Sequence, residues 1–114
     1  MNNEILTELK KDISSGGYMD KYYYAIKCNG YIKFGASLNP EVRITELQIG
    51  NPYKLKILVK ILCLDSNRLE SKARKNFKNN HIRGEWFKIS DEIQNYIKDL
   101  KIIELEQKED GLYE

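Results

Sequence analysis

Four side chains in the middle of the chain have the chemistry needed to bind an anion and act on it. Tyr24 supplies a phenol hydroxyl, and Lys33 and Arg43 supply positive charge. Glu70 is the single acid in the segment 68–83, which also holds six basic residues. Guanidinium and ammonium groups bind phosphate oxygens, and a carboxylate can hold a hard divalent cation. These side chains form one site only if the elements that carry them bring them together.

The first of these elements is a predicted β-hairpin over residues 22–35. Two runs rich in apolar and aromatic residues flank an Asn-Gly pair, which favours a two-residue turn. In that register Tyr24 is opposite Gly35, and Lys33 is on the same face because side chains alternate along a strand. Gly35 leaves space beside the phenol. An ordinary cross-strand pair has the same pattern, so the register alone does not establish a site.

Two predicted helices carry the other two side chains. Asn39 and Pro40 begin a helix of about ten residues, which places Arg43 on the flank of its buried face near the hairpin. A second helix begins near Ser66 and carries Glu70 beside its core positions. Arg74 follows Glu70 by one helical turn, and the pair is either a weak surface ion pair or part of an anion site.

The remaining elements complete the predicted fold. A helix over residues 2–13 precedes a linker at 14–20. A third strand covers 54–65, in which lysines occupy one set of alternate positions and apolar residues occupy the other. The stretch 84–90 is brief and extended. Ser90 caps a last helix. We therefore expect an α/β fold of the α+β kind: a small three-stranded, mainly antiparallel sheet flanked by helices, with an extra N-terminal helix.

Length and composition limit the classes of protein. With 114 residues the chain is long enough for one domain with its own core. The cysteines, Cys28 and Cys63, are far apart and match no metal-binding pattern, so we expect them to pack as small core residues. No export signal or membrane-spanning segment is recognised. We expect a cytoplasmic protein of a bacterium or a phage-infected host cell.

Charge is distributed unevenly along the chain. Residues 22–89 contain thirteen Lys and Arg against five Asp and Glu, a net charge of about +8, whereas the chain as a whole carries +2. The densest basic run is 68–83. A solvated helix face and a surface that binds phosphates are both consistent with such a run.

Several motifs follow the order and spacing of one superfamily. They are the tyrosines that end at Tyr24, the triplet Lys33-Phe34-Gly35, Arg43 eight residues later, the Gln-x-Gly-Asn-Pro ending at 48–52, Glu70, and "GEWF" at 84–87. On these motifs the chain resembles the GIY-YIG nuclease superfamily, within it a small phage and bacterial branch with a Lys-apolar-Gly second motif. The resemblance covers about residues 22–89. It implies a GIY-YIG-like core at 22–89, between an N-terminal helix and linker at 1–21 and a C-terminal helix and acidic tail at 90–114.

The resemblance also implies an activity and its residues. The implied enzyme is a metal-dependent endonuclease of phages or mobile elements that hydrolyses phosphodiester bonds, in DNA rather than RNA, as a monomer or a homodimer. Tyr24 and Lys33 would activate water, Arg43 would stabilise the phosphate, and Glu70 would bind one Mg²⁺ or Mn²⁺ ion. The candidate contacts to nucleic acid are Arg74, Lys72, Lys75, Lys78, Arg83, Tyr22 and Tyr31.

Some positions leave alternatives open. Lys33 replaces the tyrosine of the commoner second motif, as in the branch itself, and either lowers the pKa of Tyr24 or contacts the phosphate. Glu85 is a supporting acid or a structural acceptor, and His81 is more typical of a loop contact than of catalysis. Two other functions also fit: a catalytically silent module or inhibitor that keeps the nuclease fold and binds nucleic acid or protein, and an interaction protein that uses its terminal helices.

Overall fold

The computed structural model describes residues 3–13 and 21–111. The predicted linker at 14–20 lies outside the described residues. The elements, in chain order, are α1 (Asn3–Ile13), β1 (Lys21–Cys28), β2 (Tyr31–Ser37), α2 (Pro40–Gln48), β3 (Leu55–Cys63), α3 (Ser66–Asn76), a 3₁₀ turn (Lys78–Asn80), β4 (His81–Arg83), β5 (Trp86–Lys88) and α4 (Asp91–Glu109).

The sheet has five strands in the order β3-β1-β2-β5-β4, and every neighbouring pair is antiparallel. The predicted α+β class is confirmed, but the predicted three-stranded sheet is wrong. β4 and β5 have only three residues each, too short for an alternating pattern to be read from sequence. The stretch predicted as extended at 84–90 contains β5, which pairs with β2 and adds β4 to the edge.

Both faces of the sheet are buried. One face meets α1, α3 and α4 around a large core that includes Tyr23, Phe34, Leu69, Phe77, Ile97 and Leu100. The other face is smaller and is covered by α2, with Tyr24, Ile26, Cys28 and Leu55 packed against Ile44, Leu47 and Trp86. The predicted site residues on β1 and β2 belong to this second face, so α2 is the helix that can bring a side chain to them.

A β-bulge explains how apolar residues at alternate positions of β3 reach both faces of the sheet. Ala25 pairs with Val59 but Ile26 pairs with Ile57, so the strand gains one residue there. The bulge places Ile57 against the α2 face and Val59 in the large core. The apolar residues at alternate positions of β3 therefore do not all face the same side of the sheet.

Local sequence signals explain the helix ends. Asn39 and Ser90 accept hydrogen bonds from the main-chain N–H three residues on and cap α2 and α4 as predicted. Asp65 caps α3 in the same way. Both cysteines are free and buried, and none of the helices in the described ranges is long and apolar enough to span a membrane.

Candidate active site

The predicted hairpin register is confirmed, and it places Tyr24 directly opposite Gly35. Tyr24 is 2% exposed, and its ring lies across the glycine. A Cβ atom on Gly35 would be 2.6 Å from the Tyr24 hydroxyl oxygen and 2.9 Å from an oxygen of the Glu85 carboxylate. Real Cβ atoms do not approach other atoms so closely, so only glycine at position 35 allows the phenol and this carboxylate to converge.

Lys33 lies on the same face, with its side chain only 10% exposed. Its ammonium nitrogen is 3.7 Å from Glu85 Oε2 and 5.7 Å from the centre of the Trp86 ring. We expected the lysine tip to approach the Tyr24 phenol. In the structure its ion pair is with Glu85, whose carboxylate also approaches the tyrosine hydroxyl beside Gly35.

Arg43 reaches the site from α2. Its guanidinium lies close enough to the Tyr24 hydroxyl to lower the pKa of that phenol, and it pairs with Glu46 at 3.4 Å. The Arg43 side chain is 43% exposed. The guanidinium is thus near the tyrosine and remains accessible to an anion from solvent.

The turn after α2 fixes the position of that helix. The Gln48 amide nitrogen donates to the main-chain oxygens of Asn51 and Tyr53, and its oxygen accepts from the Leu55 N–H. Asn51 contacts the Cys28 sulfur of β1. Gln48 and Asn51 therefore fix the end of α2 and the turn that follows it.

Glu70 lies on α3 and is partly buried. Burial raises the pKa of its carboxyl group, and the nearby Glu85 carboxylate raises it further, while Arg74, Lys33 and Lys21 act in the opposite direction. Two carboxylates and several cations therefore share one electrostatic environment at this end of the sheet.

The phenol of Tyr24 senses the same groups. Burial raises its pKa, the hydrogen bond from Arg43 lowers it, and Glu85 and Glu70 raise it again, with a net increase. The expected lowering by Lys33 is not what the structure shows, because Arg43 is the cation that acts on this hydroxyl. Tyr24 is accordingly a neutral hydroxyl near neutral pH.

Glu85 is the site residue whose role sequence reasoning left undecided. It follows Gly84 in the two-residue turn between β4 and β5, and its carbonyl oxygen accepts from the Phe34 N–H at 3.2 Å. The side chain is 36% exposed. The "GEWF" motif was the available signal, but its neighbours across the sheet could not be deduced without the short β4–β5 hairpin.

Comparison with known proteins decides the family. The model of the T5orf172 domain matches residues 19–103. The chain belongs to the T5orf172 domain family. T5orf172 domains are found in phage and bacterial nuclease-like proteins. No curated protein and no solved structure matches the chain at a significant level.

In this T5orf172 domain the predicted nucleic-acid contacts do not form one group. Lys72 faces α1 and pairs with Glu8 at 3.0 Å. Tyr31 is 44% exposed at the turn end of the hairpin, and the Tyr22 ring lies 4.8 Å from the Lys60 ammonium. The exposed basic residues that remain are Arg74, Lys75, Lys78 and Arg83.

His81 contacts backbone, as the sequence indicated. Its Nε2 atom is 2.6 Å from the Gly84 carbonyl oxygen, and its ring packs 5.2 Å from that of Phe87. The T5orf172 domain therefore uses its single histidine to brace the β4–β5 turn that presents Glu85.

Proposed function

We propose that the protein is a metal-dependent nuclease of the GIY-YIG type that hydrolyses phosphodiester bonds, most readily in DNA. The observation that carries this proposal is the approach of the Arg43 guanidinium to the Tyr24 hydroxyl, beside Gly35. It joins three motif residues from two strands and a helix at one point. Glu70 lies close enough to raise the pKa of that phenol, and Lys33 lowers the pKa of the Glu70 carboxyl group. Membership of the T5orf172 family supports the same class of activity.

Arg43 is the proposed ligand of the scissile phosphate. A guanidinium presents parallel N–H donors that match two phosphate oxygens. In this chain the group lies close to the Tyr24 hydroxyl but is nearly half exposed. It can therefore accept a phosphate without rearrangement of α2, and its charge stabilises the negative charge that develops on the phosphoryl oxygens.

Tyr24 is the proposed group that orients the attacking water. Its raised pKa keeps the hydroxyl protonated near neutral pH, so the group acts as a neutral hydrogen-bonding partner. The Arg43 guanidinium lies close to that hydroxyl. Lys33 supplies a second positive charge on the same face, where it can assist the phosphate or the leaving oxygen.

Glu70 is the proposed ligand of one Mg²⁺ or Mn²⁺ ion. The residues fit such an ion: Glu70 is a partly buried carboxylate whose charge is disfavoured by burial and by Glu85, and a cation would relieve both effects. Among the described residues no cluster of three or more His, Cys, Asp or Glu side chains forms a closed metal site. An open site with few protein ligands suits Mg²⁺, which retains several waters. When bound, the ion supplies charge neutralisation at the phosphate and lowers the pKa of a coordinated water.

Nucleic acid is the proposed partner of the exposed basic side chains. Arg74, Lys75 and Lys78 extend from the end of α3 and the turn that follows, and Arg83 lies on the edge strand β4. Lys72 is the weakest candidate, because Glu8 neutralises it. Since such a surface binds phosphates without reading bases, the proposed substrate is a class of DNA structure and not one sequence. We place the activity in the cytoplasm of a bacterial or phage-infected cell.

A substrate panel tests the proposal. Purified protein is incubated with labelled single-stranded DNA, duplex DNA, branched DNA and RNA, each with Mg²⁺, Mn²⁺ or EDTA, beside an Arg43→Lys variant. We expect cutting of DNA only with metal. The rate should be about 100-fold lower in the variant, because lysine keeps the positive charge but lacks the two parallel N–H donors of the guanidinium. A folded wild-type protein that binds but cuts none of these substrates would instead favour the silent binding module.

A further inference from the structure

We infer that Glu85 is a positioning residue of the proposed nuclease reaction, which holds the Lys33 ammonium in a fixed place on the face of the sheet that carries Tyr24. The inference rests on the proposed function, because it assigns a role within the same site. Glu85 itself takes no part in binding the metal or the phosphate.

The Glu85 carboxylate lies near both of the other groups. Glu85 Oε2 is 3.7 Å from the Lys33 ammonium nitrogen. The same oxygen and the Tyr24 hydroxyl oxygen both lie within 3 Å of the point that a Cβ on Gly35 would occupy. The absence of a side chain at position 35 is therefore what allows an acid to stand next to the tyrosine.

Burial of Lys33 requires such an acid. A lysine ammonium that is largely removed from water is costly unless it is paired. The Lys33 side chain is 10% exposed, and Glu85 provides its only ion pair within the described part of the chain. The Trp86 ring adds a cation–π contact at 5.7 Å. Without the carboxylate, four rotatable bonds would allow the ammonium to turn towards solvent.

The backbone around Glu85 is itself fixed. Gly84 has a positive φ of 55°, which suits glycine at this turn. The Glu85 carbonyl accepts from Phe34 of β2, and His81 bonds the Gly84 carbonyl. The β4–β5 hairpin thus presents one carboxylate to β2 at a defined place, which gives these two short strands a function beyond closing the sheet edge.

A positioning role predicts a specific kinetic pattern. If Glu85 acts through Lys33, its removal lowers the rate of the chemical step and leaves the affinity for DNA unchanged, since Arg43 and the basic surface are intact. In a protein without Lys33, replacing Glu85 should not lower the cleavage rate further. The two substitutions are then non-additive, as expected for residues in direct contact.

The test measures single-turnover cleavage and DNA affinity for wild type, Lys33→Met, Glu85→Gln, the double variant and Glu85→Asp. We expect Glu85→Gln to slow cleavage at least about tenfold at unchanged affinity, the double variant to be no slower than Lys33→Met, and Glu85→Asp to recover part of the rate. Glu109→Gln, an exposed glutamate on α4, is the matched control and should cleave like wild type. Thermal melting of every variant verifies folding.

Three results would overturn the inference. Losses that multiply in the double variant would show that Glu85 acts independently of Lys33. Recovery of Glu85→Gln by excess Mn²⁺ would make Glu85 a metal ligand. A Glu85→Gln variant that cuts like wild type would remove the role altogether. An inactive wild type is a different outcome, because it rejects the proposed nuclease first and the inference with it.

Discussion

At the scale of single residues, the site depends most on a position that has no side chain. Gly35 lies where the Tyr24 phenol and the Glu85 carboxylate converge. Tyr24 is almost fully buried and cannot move aside without disturbing the α2 face of the sheet. A methyl group at position 35 would therefore act on both functional side chains at once.

Replacement of Gly35 by alanine tests this crowding. We expect Gly35→Ala to lower the free energy of unfolding by about 2 kcal/mol, as overpacking does, and to reduce cleavage at least about tenfold by displacing Tyr24. Gly30→Ala is the matched control, because a Cβ on Gly30 meets no atom within 4 Å. Urea denaturation and cleavage rates measure both effects. Equal behaviour of the two variants would contradict this view of Gly35.

A buried acid outside the site gives a second prediction at this scale. Asp99 on α4 is buried, and its Oδ1 atom has no hydrogen-bond partner among the residues the structure describes. Burial raises the pKa of its carboxyl group. The unfolded chain therefore releases this proton at lower pH than the folded chain, and stability falls as the pH rises through the folded pKa.

Asp99→Asn removes the buried ionisable carboxyl group and with it the loss of stability at higher pH. We expect the variant to unfold with a free energy about 1 kcal/mol higher than wild type at neutral pH. The difference should disappear near pH 3, where the aspartate is protonated in both the folded and the unfolded chain. Thermal or urea unfolding at several pH values measures it. A variant that is no more stable than wild type at pH 7, or equally stabilised at all pH values, would show that the charge is not the cause.

Sequence reasoning was most successful where a local turn signal decides contacts. The two-residue Asn-Gly turn predicted that Tyr24 is opposite Gly35, and the structure confirms this pairing. The partner of Lys33 was not predictable, because Glu85 is more than fifty residues away and reaches it through two strands of three residues. Contacts of that kind depend on tertiary pairing and leave no local pattern.

At the scale of elements, the edge strand β3 depends on the last helix. The side-chain amide of Gln107 on α4 accepts from the Leu62 N–H at 2.8 Å and donates to the Leu62 carbonyl at 2.9 Å. Glu104 accepts from the Lys60 N–H in the same manner. Side chains thus occupy main-chain groups that an edge strand would otherwise offer to another chain.

Loss of the Gln107 amide should therefore destabilise the sheet. We expect Gln107→Ala to lower the free energy of unfolding by about 1 to 3 kcal/mol, because two partly buried main-chain groups lose their partner. Gln94→Ala, an exposed glutamine on the same helix, should change it by less than about 0.5 kcal/mol. Urea unfolding of the two variants decides the matter, and equal destabilisation would reject the role of Gln107.

The longer elements could be predicted and the shorter ones could not. α4 has a cap and an apolar stripe over nineteen residues, and it was predicted with its first residue. The bulge in β3 was missed because Leu55, Ile57, Val59 and Ile61 alternate without a break in the sequence. Only pairing with β1 shows that the strand shifts register and contributes to both faces.

At the scale of the whole molecule, the middle of the chain is basic and its two ends are acidic. The excess of Lys and Arg lies in residues 22–89, whereas the segment 90–114 is acidic. Among the basic residues, Lys60 and Lys72 are paired with Glu41 and Glu8. Arg74, Lys75 and Lys78, at the end of α3 and in the turn that follows it, are among the basic side chains that remain exposed.

Salt dependence of DNA binding tests the role of that surface. We expect a Lys75→Gln, Lys78→Gln double variant to bind DNA more weakly and to reduce the slope of log affinity against log salt by about 2, one for each lost phosphate contact. A matched Lys98→Gln, Lys101→Gln variant on α4 should leave the slope unchanged. An unchanged slope in the first variant would place the nucleic acid elsewhere on the molecule.

The most direct measurement of the proposed nuclease activity is single-turnover cleavage by wild type and by Glu70→Gln, with Mg²⁺ and with EDTA. We predict cleavage by wild type only with metal, and a loss of at least about 1000-fold in the variant at unchanged folding and DNA affinity. Cleavage that persists in EDTA, or equal rates for the two proteins, would contradict a metal-dependent site at Glu70.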